Sequence, residues 1–257
     1  MLVDRSCRTR VRLARAARPR RVLAAAALAC GEVFGRRGAA QLPALPSAQS
    51  AFPAPGLALA LDGGHADGRT VPAIAGATGV RRLQLTAAVG LPGGVNGYDR
   101  SGVSAGGRLA ARLFRTTRLG VSAFAGYGFE RMRGPASYGI EPIGFGPPPP
   151  SAERPIGRLT QVPAGISAGV RGVLGDRPYA VSVAPMYTYM RWNISDTTRT
   201  RGGARLAALG EIAVTSQIGF GVAAEFGSGG PAGSPYAASR AVFGAGLSYA
   251  IRRVVAR

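Results

Sequence analysis

The stretch LGVSAFAGYGFE, Leu119–Glu130, decides how this chain is read. Leu119, Val121, Ala123, Ala125, Tyr127 and Phe129 fall on one parity, and Gly120, Ser122, Phe124, Gly126, Gly128 and Glu130 on the other. Side chains of an extended strand point alternately to its two faces. The segment is therefore a strand with one bulky apolar face and one face that is mostly small. In a soluble β-protein the bulky face would be the core and the opposite face would be rich in charge. A Gly/Ser-rich face makes a poor hydrated surface but a good lining for a narrow lumen, and the bulky face then meets lipid.

Outward from this segment the pattern recurs. Leu83–Leu91, Val103–Leu113, Val162–Arg171, Tyr179–Tyr189, residues 204–215, Ile218–Phe226 and Phe243–Ile251 alternate the same way, which makes eight strands. Links near Thr116-Thr117, Gly175-Asp176 and Ser216-Gln217 read as tight hairpin turns, and 92–101, 131–158, 193–203 and 227–238 as long loops. Alternating short turns and long loops is the habit of outer-membrane barrels, with turns in the periplasm and loops outside. The expected fold is thus all-β: a closed antiparallel transmembrane up-and-down β-barrel of eight strands over 81–252, with a tail at 253–257. Leu57–Leu61 (LALAL) could be an extra strand, and a strand pair from 57–80 would make ten strands and a wider lumen favouring transport.

Aromatic residues fit that topology. Tyr127, Phe129, Tyr187, Tyr189, Phe226 and Phe243 fall near the loop ends of outward faces, and Tyr179 and Tyr249 near the turn ends. Two such belts are expected where amphipathic rings favour the membrane interface.

Composition narrows the function classes. All 32 basic residues are arginine and the formal net charge is +20. Ten of these arginines precede residue 40, so 22 arginines face ten carboxylates in the remainder. They are spread singly without a dense patch, which argues against nucleic acid. Cys7 and Cys30 are the two cysteines and His65 the one histidine, so no disulfide, metal site or cofactor site is expected. No apolar run outside the N-terminal region is long enough for a transmembrane helix.

Residues 1–40 read as a signal peptide. An arginine-rich stretch precedes the short apolar core Val22–Cys30, and Gly38-Ala39-Ala40 offers a cleavage site before Gln41. Cleavage after Ala29 and lipidation at Cys30 are alternatives. Residues 41–80 read as a Pro/Ala-rich periplasmic segment, with prolines at 43, 46, 53 and 55.

Over residues 81–252 the chain resembles the eight-stranded outer-membrane barrels of the outer-membrane protein A transmembrane-domain type. Gly246-Leu247-Ser248-Tyr249-Ala250-Ile251 looks like the C-terminal β-signal of such proteins. The resemblance implies residence in the outer membrane of a Gram-negative cell envelope and insertion by the barrel-assembly machinery.

The lumen-facing charges expected to form an ion-paired plug are Arg108, Arg112, Glu130, Arg171, Arg205, Glu211 and Glu225, since buried charges need partners. Arg131 and Arg191, on the outward parity at loop ends, are candidates for lipid headgroup phosphates, lipopolysaccharide included. No catalytic residue is assigned, and His65 is expected before the first strand on the periplasmic side, away from any barrel mouth. The loop 131–158 carries Pro147–Pro150, which favour extended polyproline conformation. These features point to a structural or surface-interaction barrel that acts through its loops. A narrow channel is the alternative, and a lipid-modifying enzyme a further one.

Overall fold

The computed structural model describes residues 45, 47–53, 55–66, 69–92, 102–133, 156–232, 234 and 240–251. The signal segment, the C-terminal tail and the proline run of the longest loop lie outside them. Ten strands run in chain order: β1 Gly56–Ala66, β2 Arg69–Val80, β3 Leu83–Gly90, β4 Val103–Arg115, β5 Leu119–Arg133, β6 Ile156–Leu174, β7 Arg177–Ile194, β8 Thr197–Ala213, β9 Ile218–Gly227 and β10 Ala241–Ile251. Each pairs antiparallel with its neighbour in sequence, and β1 closes on β10 from Leu57 opposite Ile251 to His65 opposite Phe243.

The barrel has ten strands, so the expectation of eight is corrected, and with it the resemblance to the eight-stranded type. The eight segments read from the sequence are β3 to β10. The additional pair is β1–β2, the alternative offered by 57–80, so residues 56–66 and 69–80 are wall and not a periplasmic segment. Two features of β2 hide it. Its outward side chains include Pro72, Gly76 and Thr78, so the bulky–small contrast fades. Its turn into β3 is Arg81-Arg82, without a glycine or asparagine to announce it. Arg81 adopts the left-handed φ of 52° that a tight hairpin requires of its first residue.

The connections are less regular than loop-length alternation implies. The expected loop 193–203 is a two-residue turn at Ser195-Asp196 between strands of 18 and 17 residues. Ser195 takes φ 48°, and Thr198 Oγ1 donates to Asn193 Oδ1 at 2.8 Å beneath it. With β6, these strands extend past the shorter β9 and β10 as a ribbon on the loop side.

The wall keeps its register except at one bulge, and its direct pairs lapse beside two prolines. The direct β5–β6 pairs lapse around Pro163, and the β6–β7 pairs around Pro185, each resuming in the same register. A proline has no N–H to give. Between β4 and β5 the register shifts by one at a bulge between Arg112 and Phe114, which leaves Leu113 and Phe114 both exposed.

The outward faces carry Leu57, Leu59, Leu61, Ile74, Leu85, Val89, Leu109, Ile166, Val181, Val222 and Leu247, each close to half exposed or more. The inward faces are small: Ala58, Ala73, Ala75, Ala77, Ala88, Ser104, Ser122, Ser167, Ser182, Ala184, Ala207, Ser248 and Ala250 are all buried. Eight strands can be filled by their own side chains. Ten strands lined with alanine and serine leave room along the axis.

Candidate functional site

That room is taken by the chain itself. Residues 47–53 lie inside the barrel without helix and bend at Ala51-Phe52, and Ser47, Ala48, Gln49, Ser50, Ala51 and Phe52 are at most 1% exposed. Pro53 and Pro55 then lead to Gly56, whose φ of 111° turns the chain into β1. Phe52 lies at the turn end beside Gly120, and Ser47 lies higher, beside Arg108 and Glu225. Read backwards from β1, the segment climbs from the turn end toward the loop end.

Such a backbone has no helix to satisfy its polar groups, so a buried one needs the wall to do so. Arg108 Nη1 donates to the carbonyls of Ser47, at 3.1 Å, and Ala48, at 3.0 Å. Ser167 Oγ donates to Gln49 O at 2.6 Å and Ser122 Oγ to Ser50 O at 3.2 Å. The Ser47 N–H donates to the Glu225 carboxylate, and the Ala51 N–H to Ser182 Oγ at 3.1 Å. Ser50 Oγ donates to Glu211 Oε2 at 2.8 Å. Strands β4 to β9 all contribute a partner.

Packing follows the same path. Ala48 fits among Ala110, Phe124, Ala184, Met186, Ala207 and Leu209. Leu45 rests on Ala73, Ala75 and Ala88 of β2 and β3. Ala51 and Phe52 pack with Ala180 and Ala213 at the foot. Beside Leu45 a cavity of about 30 Å³ remains, bordered by Asp62, Leu209 and Gly246 among others. That is about the volume of one water molecule in the liquid.

Toward the loop end the lumen changes character. The Arg205 guanidinium meets Glu225 at 2.5 Å, both nearly fully buried. Arg108 also stacks over the Phe124 ring at 5.8 Å, and its electrostatic neighbours are Glu225 and Asp62. Past this layer Ala66, Val71, Met132, Leu159, Trp192 and Val242 form an apolar collar across the barrel. A Cβ on Gly157 would lie 2.7 Å from Trp192 Cζ2, so a residue without a side chain is what admits the indole there.

The lumen candidates thus separate into two groups. Arg108, Glu130, Arg205, Glu211 and Glu225 are buried inside the barrel. Arg112 and Arg171 share their inward parity but sit at the turn end, half-exposed. They bind turn carbonyls: Arg112 Nη2 reaches Arg81 O at 3.2 Å, and Arg171 Nε reaches Thr117 O at 2.9 Å. The Arg171 guanidinium also lies 5.4 Å over the Phe52 ring. Parity fixes the face of a strand but not the depth. Asp62 and the segment 47–52 were not among the sequence candidates. The signal for Asp62 was present, because Leu57, Leu59 and Leu61 alternate with Ala58, Ala60 and Asp62.

On the outside, Tyr127, Tyr187, Tyr189, Phe226, Phe243 and Tyr249 are exposed, while Phe129 and Tyr179 are half-buried. Phe226 and Phe243 meet edge to face at 5.8 Å across β9 and β10. Arg131 and Arg191 are exposed near the loop ends of β5 and β7. Arg158 of β6 stands directly opposite Arg131 on the same outer surface.

His65 is not on the periplasmic side. As the penultimate residue of β1 it sits at the loop end, exposed, with Nδ1 3.2 Å from Thr70 Oγ1. Among the described residues no three His, Cys, Asp or Glu side chains converge as a metal site would require.

No protein-family model matches the chain, and its sequence matches no curated protein. Solved structures resemble it as barrels. The Acinetobacter baumannii outer membrane protein Omp33 is 9% identical, with a TM-score of 0.33 over 76% of this chain and 98% of that one. The outer membrane protease OmpT of Escherichia coli is 12% identical, with a TM-score of 0.36 over 77% and 94%. The beta domain of the Bordetella autotransporter BrkA is 13% identical, with a TM-score of 0.40 over 76% and 99%. Likeness this distant says nothing of activity. The chain's own wall places it: a closed antiparallel barrel with an apolar exterior satisfies every strand edge internally, and the chain is an integral β-barrel of the outer membrane.

Proposed function

We propose that this barrel is sealed by its own N-terminal segment and serves a structural or surface-interaction role, adhesion or binding, through its loop end. The observation that carries the reading is the hydrogen-bonded run 47–52 along the lumen axis. A passage for solutes has to hold water, and here the axis is occupied by peptide. The projecting β6–β8 ribbon supplies a rigid base for binding, as loops on a firm scaffold commonly do. Reconstitution in planar bilayers tests it: the wild-type barrel is expected to be electrically silent. Steady single-channel steps from it would instead establish the channel reading.

Glu225→Gln sharpens the test. Glutamine keeps an acceptor for the Ser47 N–H but leaves Arg205 without its counter-charge. The expected cost is about 2 kcal/mol of unfolding free energy, the scale of one charged hydrogen bond, measured by urea titration. Conductance should stay silent, because Arg108, Ser122, Ser167 and Ser182 still hold the segment.

We further propose that the chain is not an enzyme. His65 has a threonine neighbour and no carboxylate to orient it among the described residues, which a general base would need. Unchanged lipid A mass on expression is the expected result. Arg131, Arg158 and Arg191 on the outer surface suit bidentate contact with lipopolysaccharide phosphates. The C-terminal β10, ending in Tyr249-Ala250-Ile251, suits recognition by the barrel-assembly machinery.

A further inference from the structure

We propose that the turn end of the barrel carries a binding site for an anionic phospholipid of the periplasmic leaflet, in a cavity walled by Arg82, Arg112, Arg115 and Arg171. The cavity measures about 530 Å³ and lies between the β2–β3 turn, the β4–β5 turn and the foot of β6. Four arginines line it, and among the described residues no aspartate or glutamate does. Like charges gathered at one place repel unless an anion joins them. The guanidinium fork matches the oxygens of a phosphate, and two of the four forks are already held in place. Arg112 is fixed on the Arg81 carbonyl. Arg171 is fixed on the carbonyls of Thr117 and Thr116, which leaves Nη1 without a hydrogen-bond partner among the described residues.

A second feature distinguishes a lipid from a free anion. The bulge between Arg112 and Phe114 breaks the alternation of β4. In a regular strand either Leu113 or Phe114 would turn inward. Here both are exposed, at 57% and 53%, and both border the arginine cavity. A phosphate ion has no use for two adjacent apolar side chains at the membrane edge. A phospholipid does: its phosphate meets the arginines while its acyl chains lie along Leu113 and Phe114. A zwitterionic headgroup would bring a fifth cation into the cavity, so the chemistry selects a headgroup of net negative charge, such as phosphatidylglycerol.

Native mass spectrometry of the full barrel, released from uncharged detergent, reads this directly. Phosphatidylglycerol and phosphatidylcholine are added at equal concentration, with inorganic phosphate as competitor in a further arm. The expected result is a one-to-one phosphatidylglycerol adduct retained about tenfold over phosphatidylcholine, the scale of one charge-assisted hydrogen bond. Arg82→Gln combined with Arg115→Gln should remove that preference, and Phe114→Ser should weaken the lipid adduct. If the double variant fails to fold, judged by its heat-dependent electrophoretic shift, Arg82→Gln alone decides, since Arg82 is an exposed turn residue. Equal retention of both lipids, or a preference that survives the arginine substitutions, overturns the site. Complete displacement by millimolar inorganic phosphate, with Phe114→Ser without effect, overturns its identity as a lipid site.

Discussion

Arg108→Met is expected to destabilise the folded barrel by about 3–5 kcal/mol, the cost of removing one partner from a buried charge cluster. Arg108 is 2% exposed and does three things at once. It donates to the carbonyls of Ser47 and Ala48, covers the Phe124 ring and offsets the negative charge of Glu225 and Asp62. Methionine keeps much of the volume and the ring contact but supplies no donor and no charge. Two buried carbonyls then lose their partner and the carboxylates lose a counter-charge, so the loss exceeds that expected for Glu225→Gln. The chain's single tryptophan, Trp192, sits buried in the collar and reports unfolding by fluorescence during urea titration. Arg118→Met, at an exposed turn residue, should stay within about 0.5 kcal/mol of wild type. If the two variants unfolded at the same urea concentration, the lumen would not depend on Arg108.

Much of the wall was legible because lipid and lumen impose opposite demands on alternate residues. Strands β3 to β10 carry that contrast in their own sequences, and Leu119–Glu130 shows it residue by residue. Strand β2 does not, since Pro72, Gly76 and Thr78 face outward while Val71 faces in, so bulk is no guide there. β1 is legible in the LALAL run only as a possible extra strand, because β2 beside it shows no such contrast. The strand count also decides the interior. Eight strands lined by alanine and serine read as a lumen closed by its own side chains, whereas ten leave an axial space. The peptide that fills the space has the composition of a proline-rich linker. Its partners Arg108, Ser122, Ser167, Ser182 and Glu225 are scattered over more than a hundred residues of sequence, and none is unusual for a barrel strand. Inward serines recurring at similar depth on β5, β6 and β7 were the available hint. Such a row can bind a backbone, but that meaning appears only once the register aligns them.

Gly120→Val isolates the contribution of the lumenal segment from that of the wall. Gly120 is the second residue of β5, with its missing side chain directed at the foot of the segment. A Cβ there would lie 2.6 Å from Phe52 Cε1 and 2.7 Å from Ala51 O. These distances are closer than side-chain atoms tolerate, and Ala51 O is backbone that cannot rotate aside. The clash falls on the segment and spares the wall. At Gly169, by contrast, a Cβ would meet the wall carbonyl of Val181 at 2.5 Å, so a substitution there would disturb the strands themselves. Valine suits a strand better than glycine does, so the β5 ladder should persist. The expected result is therefore a split: an intact, heat-resistant barrel whose residues 47–52 no longer stay seated. Overpacking of this kind costs about 1–3 kcal/mol, and here it acts against the hydrogen bonds that seat the segment. The Ser50→Cys thiol should resist a water-soluble thiol reagent when Gly120 is intact. Combined with Gly120→Val it should react readily, and conductance steps should appear with it. Protection of that thiol in both backgrounds would mean that the segment tolerates the added bulk. A reactive thiol without conductance would mean that the apolar collar around Trp192 closes the lumen on its own.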